Sequence, residues 1–278
     1  MTHSAKSPRV SVIIPTWDRA GSLRRAVASA LTQTLPPAEI LVCDDGSTDD
    51  SEHVIAGLGE TSVRWVPGAH AGRPAVPRNR GLREAGGEWI AFLDSDDAWL
   101  PEKLEKQMAA SSRTGCQASC TNAWAVARGT QRRPYFRQSL PAVLLLDHLT
   151  EGNPVICSSV LMHTSLLDVV AGFPEDVELA AIEDYALWLR VAALTGFAYL
   201  AEPLVEYTDE PALSIRKPGG SEFVQRRRVL RNFLSWAQFV PGLEPHVRKA
   251  HAAMRWVPLQ EAWRAVRQAA SRVRASRP

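Results

Sequence analysis

Three apolar runs in the first hundred residues each end at once in oxygen-bearing side chains. Val10 to Ile14 stops at Pro15 and leads to Thr16 and Asp18. Glu39 to Cys43 leads to Asp44 and Asp45, and Trp89 to Leu93 leads to Asp94-Ser95-Asp96-Asp97. Short β-branched and apolar runs of this kind read as buried strands. Between the first two, Ser22 precedes Leu23, Ala26, Val27, Ala30 and Leu31, the spacing of an amphipathic helix with an N-cap. A second helix is expected from about Asp49 to Ala56, a strand over Val63 to Val66 and a third helix over Ala75 to Ala85. Strands alternating with helices predict an α/β fold with a mostly parallel sheet. Ligands of such sheets bind outside the carboxyl ends of the strands, so three strand exits aim at one crevice.

The acidic exit at Asp94 to Asp97 carries the strongest chemical signal. A carboxylate taken from water is strongly penalised unless something compensates it. Mg²⁺ and Mn²⁺ provide such compensation, since they prefer hard oxygen donors and combine one or two carboxylates with phosphate oxygens and water. The bland alternative is an acidic loop that faces solvent.

Composition narrows the class. The chain has 278 residues, 45% hydrophobic and 22% charged, which fits a soluble globular protein with a substantial core. No apolar stretch approaches the roughly 20 residues needed to span a bilayer. Met1 to Arg9 lacks the apolar centre of a signal peptide, so a cytoplasmic location is expected. Cys43, Cys116, Cys120 and Cys157 show no zinc-ligand spacing with histidines, and Cys116 and Cys120 read as reduced, partly buried thiols. No Gly-x-Gly-x-x-Gly follows the first strand and no Gly-x-x-x-x-Gly-Lys occurs, which disfavours dinucleotide binding and P-loop phosphate transfer. Residues 1–220 hold 20 basic and 27 acidic side chains, net −7, whereas residues 221–278 hold 12 and 3, net +9. That shift predicts a boundary near Pro218-Gly219-Gly220, with a basic tail beyond it. In the tail Leu259, Trp263, Val266, Ala270 and Val273 share one helical face. Such a helix lies on an anionic membrane surface, or packs against the body or a second subunit. A nucleic-acid role has no motif beyond charge.

Five segments, in order, resemble glycosyltransferase family 2. They are Ser11-Val12-Ile13-Ile14-Pro15-Thr16-Trp17-Asp18-Arg19, Val42-Cys43-Asp44-Asp45-Gly46-Ser47-Thr48-Asp49, Arg78-Asn79-Arg80-Gly81, Phe92-Leu93-Asp94-Ser95-Asp96-Asp97 and Ile182-Glu183-Asp184-Tyr185-Ala186-Leu187-Trp188-Leu189-Arg190. The resemblance spans about residues 8–215. It implies a GT-A fold over residues 1–220, with a nucleotide-sugar-binding half (8–115) and an acceptor-binding half (116–220). It further implies a nucleotide-sugar donor, usually UDP-linked, a divalent metal (Mn or Mg) and inversion at the anomeric carbon. The acceptor class it implies is a glycan, a lipid-linked sugar or a small molecule, on or near the inner face of the membrane.

Carried over by position, Pro15, Thr16 and Asp18 border the nucleoside. Asp45 reads the uracil ring, or else caps the turn at Gly46 or the helix beyond. Arg78 lies close to the base and diphosphate, with Arg73 as a supplement; the alternative is an exposed helix arginine. Asp94, beside Ser95, contacts ribose or the metal shell, and Asp96 is the direct metal ligand. Asp97 either shares the metal or caps the helix near Pro101. Asp184 is the general base and Glu183 orients it or touches the acceptor, although two acids at a helix start are also favourable electrostatically with no chemistry. Ser158 and Ser159 fall on a stretch resembling the strand that lines the acceptor side. One departure stands out. Where many relatives have Arg-x-His, this chain has Tyr207-Thr208-Asp209-Glu210-Pro211, so either Asp209 or Glu210 substitutes in the metal shell or the diphosphate and water complete it. Arg216 and Lys217 match a later loop that covers the diphosphate. The rivals are a metal-dependent nucleotidyltransferase and a non-catalytic nucleotide-sugar or glycan-binding module.

Overall fold

The computed structural model describes residues 8–127, 130–209 and 221–255. Its first half is β1 (Val10–Thr16), α1 (Ala20–Leu31), β2 (Glu39–Asp44), α2 (Ser51–Ala56), β3 (Val63–Val66), α3 (Ala75–Glu84) and β4 (Trp89–Phe92). The second half is β5 (Ala98–Trp99), α4 (Lys103–Thr114), β6 (Ala118–Val126), β7 (Arg133–Pro134), β8 (Val143–Leu144), α5 (Leu146–Glu151), β9 (Leu161–His163), α6 (Leu167–Val170), α7 (Glu183–Leu194), β10 (Phe197–Thr208) and α8 (Glu222–Ala237). Residues 244–255 are again helical.

The described strands form one ten-stranded sheet with the path β3-β2-β1-β4-β9-β6-β10-β5, with β7 beside β6 and β8 beside β10. The parallel order expected from the alternating pattern holds for β3, β2, β1 and β4. The second half is mixed: β9 runs antiparallel to both β4 and β6, while β10 runs parallel to β6. Chain order reverses at β1, which has β2 on one side and β4 on the other. A topological switch of this kind opens a crevice at the strand ends, and the polar exits of all three strands meet there.

Alternation along the strands decides which face each side chain covers. Val10, Val12 and Ile14 turn to the layer with Leu23, Val27 and Leu104, whereas Ile13, Leu41 and Phe92 turn to the layer with Trp188 and Phe233. Trp188 is fully buried and packs edge-on or tilted against Phe92, Phe173 and Phe197 at centroid distances of 5.8, 5.8 and 5.9 Å. Helix α8 belongs to this same core. Its Val229, Leu230, Phe233 and Ala237 are buried, and it lies along α7. The charge boundary near residue 220 therefore precedes a helix that packs on the body. The stripe from Leu259 to Val273 lies outside the described residues. All four cysteines are free and buried.

Candidate active site

The loops after β1 and β2 are laced together by carboxylates. Asp18 sits in the left-handed region, φ +47°, which aspartate tolerates better than most residues. There its Oδ1 accepts from the Thr48 and Asp49 amides at 2.7 and 3.2 Å, and its own amide donates to Ser47 Oγ. Asp44 takes the turn-capping role, accepting from the Gly46 and Ser47 amides. That leaves Asp45 free of its own turn. Its carboxylate reaches across to accept from the Ala71 and Gly72 amides at 3.0 and 2.9 Å, and its Oδ2 lies 3.2 Å from His70 Nδ1. Gly46, at φ +79°, is needed for this approach, because a Cβ there would meet the His70 amide at 2.8 Å. The half-exposed Trp17 ring covers His70 at a centroid distance of 4.5 Å. Trp17 and His70 form an exposed aromatic wall beside Asp45 that the sequence reading did not assign. The signal for Trp17 was its place between Thr16 and Asp18; nothing local tied His70 to Asp45. Thr16 is buried, and its Oγ1 has no partner among the described residues.

At the exit of β4 the acids divide their work. Asp94 accepts from Arg78 at 2.6 Å, and Asp96 Oδ2 accepts from Arg19 at 3.1 Å. Ser95 between them is buried. Asp97 is fully enclosed and accepts from Ser158 Oγ at 2.5 Å and the Thr208 amide at 2.8 Å. The helix after Pro101 has no side-chain bond from its N-cap residue; Asp97 ties the loop to the end of β10. Burial, reinforced by Asp94 and Asp96, pushes the Asp97 carboxyl well above the usual range. Burial and Asp94 also raise Asp96, against the opposing pull of Arg19. Ser158 accepts from the Asp94 amide as well, so one hydroxyl fixes both ends of the acidic loop. Ser158 and Ser159 lie in a 3₁₀ turn before β9 rather than in a strand.

A buried layer supports that turn from below. Trp99 Nε1 donates to the Ser158 carbonyl and Gln107 Nε2 to the Ser159 carbonyl. Lys103, with no exposed surface, donates to Gln107 at 2.6 Å and lies 4.1 Å from the Trp99 ring centroid. Burial holds its amine well below the ordinary lysine value.

On the other wall, Glu183 and Asp184 open α7, both buried, directly after Ala181 at φ +67°. A non-glycine residue there is uncommon, and such conformations gather at functional sites. Asp184 Oδ1 accepts from the Tyr185 amide at 2.7 Å. Glu183 Oε1 accepts from Arg78 at 2.7 Å. Arg78 is thus not an exposed helix arginine: it is buried, and its two terminal nitrogens join Asp94 to Glu183 across the crevice. Asn79 pins the turn at Phe173 to α3 by bonds in both directions, and Arg73 donates to the Glu175 carbonyl. Asp209 pairs with Arg133 at 3.0 Å. Glu210, Arg216 and Lys217 lie outside the described residues.

The five sequence segments therefore meet in one crevice at the carboxyl edge of the sheet. A family model described as glycosyl transferase family 2 matches residues 11–164. The chain belongs to glycosyltransferase family 2. This glycosyltransferase is 30% identical over 223 residues to the Escherichia coli protein named UDP-Glc:alpha-D-GlcNAc-diphosphoundecaprenol beta-1,3-glucosyltransferase WfaP, covering 80% of this chain and 86% of that one. It is 28% identical to the similarly named WfgD of the same organism over 66% and 69% of the two chains. It is 30% identical to the Bacillus subtilis putative teichuronic acid biosynthesis glycosyltransferase TuaG over 72% and 79%. Among solved structures, S. aureus TarS 1–349 in complex with UDP-GlcNAc superposes with a TM-score of 0.70 at 20% identity, over 90% of this chain and 72% of that one. A Pyrobaculum calidifontis mannosyltransferase, in complex with GDP-Man and Mn²⁺, gives 0.59 at 18% identity over 94% and 76%. The expected GT-A fold is the fold observed.

Proposed function

We propose that this glycosyltransferase moves a sugar from a UDP-linked donor to an acceptor hydroxyl of a lipid-linked glycan precursor, with inversion at the anomeric carbon. The observation that carries the reading is Arg78, which joins Asp94 from the donor side to Glu183 beside Asp184. One buried cation thereby sets the spacing between the donor loop and the proposed base. The names of WfgD, WfaP and TuaG support the UDP-sugar and surface-glycan parts of the reading.

Asp45 suits an imide N–H, because an ionised carboxylate accepts strongly and each oxygen keeps acceptor capacity beyond its one amide bond. The Trp17–His70 wall supplies an apolar face for the base, and the buried Thr16 hydroxyl supplies an unused donor.

A divalent cation fits the acidic loop. Asp96 and Asp94 are each partly exposed, and burial of Asp96 beside Asp94 raises its proton affinity, a penalty that a cation relieves. Among the described residues no group of three or more histidine, cysteine or carboxylate side chains converges. Asp96, with Asp94, would hold the ion, and phosphate oxygens and water complete such shells. When bound, the ion stabilises negative charge on the departing diphosphate.

Asp184 then accepts the proton of the acceptor hydroxyl as its oxygen attacks the anomeric carbon from the face opposite the diphosphate. Glu183, clamped by Arg78, fixes the start of α7 and so the base. A product assay tests the reaction class: release of nucleoside diphosphate with a new glycosidic bond supports it, and release of pyrophosphate refutes it.

A further inference from the structure

Helix α8 hides one face and offers another that the transfer reaction does not use. Val229, Leu230, Phe233 and Ala237 are buried against the body, while Val224, Arg227, Arg228, Arg231 and Ser235 recur three and four residues apart on the solvent side. Sixteen residues at about 1.5 Å each make this stripe about 24 Å long. Arg228 donates to the Glu178 carbonyl, and among the described residues Arg227 and Arg231 have no acidic partner.

Exposed apolar groups stand at both ends. Val224 is 44% exposed at the start of the helix, and Val177, next in chain to Glu178, is 78% exposed. Phe239, just past the end of α8, is 81% exposed above a cleft of about 410 Å³ lined by Val240, Pro241 and Val247, with Arg248 also in its wall. Residues 221–255 hold seven basic and two acidic side chains. Asp176 and Glu178 bring acids to the margin; Asp176 lies 3.5 Å from Asn232. Arginines flanked by isolated large apolar side chains match the chemistry of an anionic bilayer, where the charges meet headgroups and the apolar tips enter the acyl boundary.

The stripe also has a direction. Arg228 in its second turn touches the segment at Glu178, which leads through Ala181 to Glu183 and Asp184, and α8 runs along α7 with Asn232 bonded to Arg190. We propose that the outer face of α8, from Val224 through Arg227, Arg228 and Arg231 to Phe239, seats the protein on an anionic lipid surface. The proposal does not depend on which sugar is transferred.

The test is co-sedimentation of the full chain with phosphatidylglycerol-rich and with pure phosphatidylcholine vesicles. The wild type is expected to partition to the anionic vesicles and to be released by salt. Arg227→Ser with Arg231→Ser should lower that partition about thirtyfold, about fivefold for each basic side chain near the surface. Phe239→Ser should lower it further at unchanged melting temperature. Equal binding of wild type and the double variant would overturn the proposal, as would equal binding to both vesicle types. A concentration-dependent dimer that the same substitutions abolish, with vesicle binding untouched, would assign the face to a second copy instead and equally overturn it.

Discussion

Arg78 pairs with one carboxylate from each wall of the crevice, and its own guanidinium and Glu183 are buried while Asp94 keeps some exposure. Removing one partner of a buried charge network costs about 3–5 kcal/mol, because the remaining charges are left uncompensated. Arg78→Met is therefore expected to lower the chemical-denaturation midpoint strongly and to abolish turnover together. Arg78→Lys keeps the charge but cannot span both carboxylates with a planar fork, so it should recover stability better than kcat. Trp17 behaves differently, because its ring is half exposed and stacks on the exposed His70 rather than in the core. Base–aromatic stacking contributes about 1–3 kcal/mol, so Trp17→Ala should weaken UDP binding by about tenfold or more in titration calorimetry while leaving the melting temperature in place. Unchanged UDP affinity would remove the aromatic wall from the donor site. The carboxylates after β1, β2 and β4 were legible in the sequence because they stand at strand exits, whereas Glu183 and Asp184, at the start of α7, were carried by the family resemblance. Their partners were not legible. Arg78 and Glu183 are 105 positions apart and Asp45 and Gly72 are 27 apart, and such pairings are set by how the sheet closes rather than by any local pattern. Asp97 shows the same limit, since it reads like its acidic neighbours yet is spent on Ser158 and Thr208.

The strands were readable at the level of elements wherever β-branched residues ran unbroken into polar residues. The turn at Cys157–Ser159 was not, because its apolar-polar sequence fits a strand equally well and the bonds that hold the 3₁₀ form come from distant residues, Asp94, Asp97, Trp99 and Gln107. Helix α3 approaches the sheet closely at Gly81, where a Cβ would meet Ile13 Cγ2 at 2.7 Å and Cys43 Sγ at 2.8 Å. Overpacking of a tight core costs about 1–3 kcal/mol. Gly81→Ala is thus expected to lower the unfolding free energy in that range and, since α3 carries Arg78, to lower kcat as well. Helix α4 supplies a pH-dependent term through Lys103. The unfolded lysine binds a proton up to its ordinary value of 10.5, whereas burial keeps the folded amine neutral far below that. Unfolding takes up a proton across this window, so the group's contribution makes stability rise with pH through it. Lys103→Met should flatten the rise in melting temperature as pH approaches the ordinary lysine value from below; an unchanged slope would show that the amine is charged in the folded state.

Across the whole molecule, the parallel half of the sheet carries the proposed donor loops and the mixed half carries the proposed acceptor wall, and the two halves meet where β4 pairs with β9. Composition announced a change near residue 220, and the structure shows what it means for residues 221–255: a helix whose inner face completes the core around Trp188 and whose outer face stays cationic. Charge alone did not reveal the inner face, since Val229, Leu230 and Phe233 are dispersed among arginines and only their spacing marks them. The central claim is that Asp184 takes the proton while donor binding resides elsewhere, in Asp45, the Trp17 wall and the acidic loop. The most direct test measures UDP-sugar affinity by calorimetry and transfer by single-turnover kinetics for Asp184→Asn beside the wild type. Loss of a positioned general base costs about 10²–10⁴ in rate, so transfer should fall by that factor while the donor dissociation constant stays within about twofold. Near-normal transfer by Asp184→Asn, or loss of donor binding in step with turnover, would contradict the account.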